Sequence, residues 1–135
     1  MSLDIRVLRQ QIADALSTID GLRVTPTLPA QSVMLPPCAF IIPKRIEYGY
    51  TLPRQNQKTY FTLQLLLGTE KDFNEAQTDV DSYLAYSGDK SLYAAIGAGH
   101  YTDLSHVHCE TMDRYGKFEY YGTLYVGAAF TIETW

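Results

Sequence analysis

From Thr59 to Leu67 the chain alternates without a break, with Thr59, Phe61, Leu63, Leu65 and Leu67 falling on one side and Lys58, Tyr60, Thr62 and Gln64 on the other. Successive side chains of a strand point to opposite faces, so this segment suits one conformation: a strand laid on a core. Leu124, Val126, Ala128, Phe130 and Ile132 repeat the pattern near the C-terminus. A slip of one residue in either strand would turn its whole apolar set to water, so both registers are strongly specified.

Helical periodicity supplies the second layer. Ile5, Leu8, Ile12, Leu16 and Ile19 recur at steps of three and four, which predicts a helix from Leu3 to Ile19 ended by Asp20-Gly21. Asp72 and Glu75 have capping-box spacing, and Phe73, Ala76, Val80 and Leu84 continue a second helix to about Tyr86. Ser91 to Ile96 reads as a brief third helix that Gly97 and Gly99 close. Between these lie a short strand at Leu22–Thr25, a connection marked by Pro26, Pro29, Pro36 and Pro37, and a buried strand at Cys38–Ile42 stopped by Pro43. A further strand is possible around Ile46–Tyr50, before a polar loop at Leu52–Lys58 expected to be mobile until it meets a neighbour. Leu104–Tyr115 reads as a strand with Val107 and Cys109 on one face. The expected architecture is one α+β domain over residues 1–135, a mainly antiparallel or mixed sheet of about five strands with two to three helices packed against it.

A chain of 135 residues buries roughly two-thirds of its unfolded surface, enough for one core without disulfides. The net charge of -4 comes with no basic stripe, which argues against phosphate-backbone binding as the main activity. The longest apolar run, Cys38–Ile42, is far below the ~20 residues of a membrane-spanning helix, and residues 1–20 lack the secretory pattern. Cys38 and Cys109 fall in strand segments, which suits free thiols in a cell interior. Tyrosine is the unusual count, 11 against one tryptophan. Tyrosine covers much area at low rotamer cost and is enriched where proteins meet, although each one also suits a half-buried strand position. The expected oligomer and partner surface comprises Tyr48, Tyr50, Arg54, Gln55, Asn56, Gln57, Tyr120, Tyr121 and Tyr125.

Catalytic patterns are weak. His106, His108 and Glu110 would share one face of a strand and converge like metal ligands, but Cys109 points away and no second ligand motif accompanies them. Ser87-Gly-Asp-Lys90 has Ser-x-x-Lys spacing without the companion elements of that chemistry. Asp72, Glu75, Asp79 and Asp81 read as a solvated face near a helix start. The expectation is a non-enzymatic protein with no cofactor and no bound metal.

Several segments, in order, resemble the tail terminator family of long-tailed (siphovirus) bacteriophages, distantly similar to the minor tail protein U of phage lambda. They are Ile46-Glu-Tyr-Gly-Tyr50, Tyr60-Phe-Thr-Leu-Gln-Leu-Leu-Leu-Gly68, Ala76-Gln77, Asp81-Ser-Tyr-Leu-Ala85, Ser87-Gly-Asp-Lys-Ser-Leu-Tyr-Ala-Ala-Ile96, Tyr115-Gly116 and Gly122-Thr-Leu-Tyr-Val-Gly-Ala-Ala-Phe-Thr-Ile-Glu133. Tyr86 and the segment Gly99–Asp103 depart from the family pattern. The resemblance implies a virion protein assembled in the bacterial cytoplasm as a ring, a hexamer, at the tail–neck junction. Its partners would be other copies of itself, the major tail tube protein and a head-completion connector, with DNA passing through the lumen unread. The alternatives are a head-side neck or stopper protein and a small metal-dependent enzyme built on the His106–Glu110 strand.

Overall fold

The computed structural model describes residues 5–30, 34–48, 57–69, 81–85, 87–99, 101 and 107–134. Helix α1 (Ile5–Leu16) leads to strand β1 (Arg23–Thr25), β2 (Cys38–Tyr48) and β3 (Gln57–Thr69). Helix α2 is described over 81–84, and α3 (Leu92–Gly97) precedes the hairpin of β4 (Val107–Tyr120) and β5 (Thr123–Thr134). The sheet order is β1-β2-β3-β5-β4, with β1 parallel to β2 and every other pair antiparallel. This is the α+β fold expected from the periodicities.

The helices cover one face of the sheet. Leu8, Ile12, Ala13 and Leu16 of α1 meet Ala39 and Ile41 of β2, Phe61, Leu63 and Leu65 of β3, and Ala128, Phe130 and Ile132 of β5. Where the three-residue β1 ends, the Arg9 guanidinium of α1 donates to the Ile41 carbonyl at 2.8 Å, satisfying an acceptor at the rim of the sheet. Ser91 caps α3, its hydroxyl accepting from the Ala94 amide at 3.1 Å. The helix does not end on a left-handed glycine: Gly97 is its last residue and Ala98, in right-handed conformation, is the cap.

Two strand expectations need correcting. Pro43 does not stop β2; the strand runs on to Tyr48 and absorbs the proline at a bulge between Pro43 and Arg45. Beyond Phe40, β2 has no partner on its β1 side among the described residues, so the missing N–H breaks no ladder there. Gln57 and Lys58 belong to β3 and not to a loop, paired with Tyr48 and Glu47; residues 49–56 lie outside the described residues, as do residues 70–80, where the second helix is expected to start.

The second face of the sheet is also covered, by the chain's own hairpin. Gly116 and Gly127 sit opposite each other in the β4–β5 register, and Gly116 takes φ +139°. Beyond this pair the hairpin returns over the sheet. Tyr120 stacks edge-on against Phe40 at 5.3 Å, and Phe118 and Tyr125 join Met34, Cys38, Phe40 and Leu66 in a second apolar cluster. At the centre, buried Gln64 donates from Nε2 to the carbonyls of Leu65 and Ala128 and accepts from the Tyr120 hydroxyl at 3.0 Å. Each polar end of that side chain is thereby satisfied, as burial demands. The two-residue turn has Tyr121 at φ 54° and Gly122 at φ 79°. Both central residues of a tight I′-type turn need positive φ, and a tyrosine there costs about 1 kcal/mol relative to glycine. The Tyr121 hydroxyl donates to the Pro29 carbonyl at 2.8 Å and ties the tip to the connection after β1.

Candidate functional site: two exposed apolar patches

Among the described residues β4 lies at the sheet edge and pairs with β5 alone. Its register shifts between Cys109 and Thr111 and again between Met112 and Arg114. The part of β2 beyond Phe40, unpaired on its β1 side among the described residues, carries a bulge, Pro43, Lys44 and Arg45. Bulges, proline and charge are the devices that keep exposed edges from recruiting strands, so contacts by side-chain surfaces are favoured over strand addition.

Among the described residues, six of the eight large exposed apolar side chains fall at two places; the others are Val7 on α1 and Leu35 just before β2. The first is a groove of about 300 Å³ on the helical side of β4, walled by Tyr83 and Leu84 of α2, Tyr93 of α3 and Met112 of β4, with Phe130 and Cys109 beneath. Tyr93 and Met112 are 40% and 43% exposed, well beyond what residues packed on a core show. Tyr115 extends the same surface, because its cross-strand partner Ala128 belongs to the helical face. The second place is convex: Tyr121 and Leu124 at the hairpin tip, 49% and 38% exposed, beside Leu28 of the connection that holds the Tyr121 hydroxyl.

A polar lattice occupies the uncovered half of the second sheet face. The Lys44 ammonium reaches over β3 to the Thr131 hydroxyl at 2.9 Å and to Asp113 at 3.5 Å, while Thr111 and Thr131 both donate to that carboxylate. Lys58 and Glu133 pair at 3.2 Å, and the Arg45 guanidinium and Lys58 ammonium lie over the Tyr60 ring. The arrangement ties β2, β3, β4 and β5 together. Burial alone would raise the Asp113 carboxyl, but the hydroxyls of Thr111 and Thr131 and the Lys44 ammonium hold it below its ordinary 3.8. A carboxyl depressed in the folded state stabilises above its unfolded pKa, and that contribution fades as pH falls through the folded value. We therefore expect Asp113→Asn to lower stability at neutral pH and to flatten the loss in acid, so that variant and unaltered protein converge below about pH 4, read from urea melts across that range.

The sequence-predicted contact residues separate on folding. Tyr48 ends β2 opposite Gln57 at the start of β3. Tyr50, Arg54, Gln55 and Asn56 lie outside the described residues. Tyr121 stands exposed at the tip, Tyr120 is half-buried against Phe40, and Tyr125 is only 6% exposed within the second cluster, so its contacts are made inside the subunit. Met112, Tyr93, Tyr83 and Leu28 were not among the residues singled out. Tyr93 could have been found from its place between Leu92 and Ile96, off the buried stripe of α3.

His106 lies outside the described residues, and the bulge at Glu110 breaks the alternation that would have aligned it with His108. No cluster of three His, Cys, Asp or Glu side chains able to hold a metal forms among the described residues. Ser87 and Lys90 are exposed, the Lys90 ammonium resting over the Tyr83 ring. Burial pushes the Cys109 thiol up to about 12, with Asp113 adding to the effect, and that of Cys38 to about 11 against a small opposing pull from Arg23. Both should resist iodoacetamide at pH 8 in the folded protein and react at once in denaturant; labelling of either in native buffer would contradict this.

No helix among the described residues is long and apolar enough to cross a membrane. The chain matches no protein-family model and no curated protein sequence.

Proposed function

We propose that the chain is the tail terminator of a long-tailed bacteriophage: a non-catalytic subunit that closes into a ring, a hexamer, on the last disc of tail-tube subunits. The ring ends tube polymerisation and offers its other side to the head-completion complex, and DNA passes through the lumen without being read. The subunit would be made in the host cytoplasm and reside at the tail–neck junction of the virion. The ordered resemblance along residues 46–133 supports this reading. The structural observation that carries it is the presence of two apolar patches, different in shape and separate on the surface, on a domain whose sheet edges are blunted. Exposed Tyr, Met and Leu grouped in patches mark surfaces made for protein partners.

The test is assembly. Light scattering on a sizing column followed by electron micrographs should show closed rings, and adding the protein to polymerising tail-tube subunits should shorten the tubes. Rings that leave tube length unchanged would move the role to the head-side neck, and a subunit that neither forms rings nor alters tubes would end the reading.

A further inference from the structure

Two irregularities in β4 build the groove between Tyr93 and Met112. Glu110 and Asp113 have no cross-strand partner in the register with β5, so each is the extra residue of a bulge. Cys109, Met112 and Tyr115 stand opposite Ile132, Phe130 and Ala128, all on the helical side of the sheet. A regular strand continuing from Cys109 would put Thr111 and Asp113 on that side instead. The bulges turn those two toward the polar lattice and bring Met112, 43% exposed, to the groove. Re-aiming a side chain is a recurrent use of bulges, and here two ladder positions are given up to hold an apolar side chain in solvent.

Charge sets the chemistry of what fits. Among the described residues Glu110 is the one charged residue that lines the groove, on a chain of net charge -4. On the helical wall the Lys90 ammonium rests over the Tyr83 ring at 5.8 Å, so that wall already holds a cation against an aromatic face. The hairpin tip of another copy does not suit this site: Glu119 stands across from Leu124 and would be carried toward Glu110.

We infer that the groove takes a segment of a different protein, one that carries a lysine or arginine next to an aliphatic or aromatic anchor. The anchor enters between Tyr93 and Met112, where about 300 Å³ is open above Phe130, and the cation meets the Glu110 carboxylate. Methionine reshapes around an anchor, and tyrosine packs against one while keeping its hydroxyl in water. The inference rests on the assembly reading above and says what one of the two patches takes: a basic, apolar-anchored segment of a neighbouring virion protein, not another subunit of the ring.

The experiment uses the full chain and dye-labelled synthetic peptides that share a leucine–tryptophan anchor, one flanked by lysines and one by glutamates. Far-ultraviolet circular dichroism and urea melting establish that Met112→Lys and Glu110→Lys, both at exposed positions, remain folded. Fluorescence anisotropy is expected to show the lysine peptide bound about tenfold or more tightly than the glutamate peptide, with that binding lost in Met112→Lys and the preference abolished or reversed in Glu110→Lys. A lysine peptide without the anchor should bind no better than the glutamate peptide, which separates the groove from the general attraction of an acidic protein for cations. Equal binding of the two anchored peptides, no binding of either, or binding that Met112→Lys leaves unchanged overturns the inference. Native mass spectrometry showing rings for the unaltered protein and monomers for both variants also overturns it, since the groove would then meet a second copy. An unaltered protein that forms no rings and leaves tail-tube length unchanged removes the ring reading, while the peptide preferences still decide what the groove takes.

Discussion

Gly127→Ala is expected to destabilise the domain by about 3 kcal/mol, at the upper end of what overpacking a well-filled interior costs. A Cβ at this position would lie inside contact distance of the Leu65 carbonyl oxygen and close to the Leu66 Cα, both backbone atoms that no rotamer change can move. The site lies where β3 shifts register between Leu66 and Gly68 against β5, so the two strands approach more closely than a regular ladder allows. Relief would require β5 to slide or bow, and β5 is the strand that β3 and β4 both pair with. With a urea dependence of roughly 1–3 kcal/mol per molar, the midpoint should fall by about 1 M or more. Gly116→Ala provides the contrast. Nothing stands near its Cβ, so only the positive φ opposes substitution, at about 1–2 kcal/mol. Equal losses at the two glycines would show that contact with Leu65 is not the reason for Gly127.

Phe40→Ala is the second large effect, about 3–5 kcal/mol, the range for removing a fully buried aromatic ring. Phe40 is 0% exposed although it points away from the helices, which makes it a probe of the second apolar cluster, to which the hairpin contributes Phe118, Tyr120 and Tyr125. Its ring meets Tyr120 edge-on, and the Tyr120 hydroxyl in turn reaches Gln64, so truncation opens a cavity and loosens the polar contact at the centre of the sheet. Tyr120→Leu alone should cost less. The double substitution with Phe40→Leu should recover about 0.5–1.5 kcal/mol relative to the sum of the single effects, measured by urea melts of the four proteins. A Phe40→Ala loss below about 1 kcal/mol would mean that this face carries no packed second cluster.

Much of the fold was legible because periodicity is a local property. The stripe from Ile5 to Ile19 located α1, and the alternation of Phe61, Leu63 and Leu65 chose the face of β3 that meets the helices. The Pro43 reading failed because a proline's effect depends on whether a neighbouring strand needs its N–H, which the three-residue β1 decides from elsewhere in the chain. The single apolar face assigned to β5 was incomplete for a similar reason. Tyr125 and Thr131 are also buried, under the returning hairpin and within the polar lattice, whereas Leu124 stands exposed at the tip. The candidate contact surface was the least legible part. A tyrosine on a strand looks the same in sequence whether it packs on Phe40, as Tyr120 does, or stands in solvent, as Tyr121 does.

The sequence by itself determined the α+β class, the identity of the core strands and the inward face of the first helix, because strand and helix periods are written in neighbouring residues. Only the tertiary structure decided that the hairpin bends at Gly116 and Gly127 to give the sheet a second covered face. It alone also brought Tyr83, Tyr93 and Met112 into one groove. Those outcomes depend on register shifts and on contacts between residues far apart in the chain, and nothing in the local pattern carries that information.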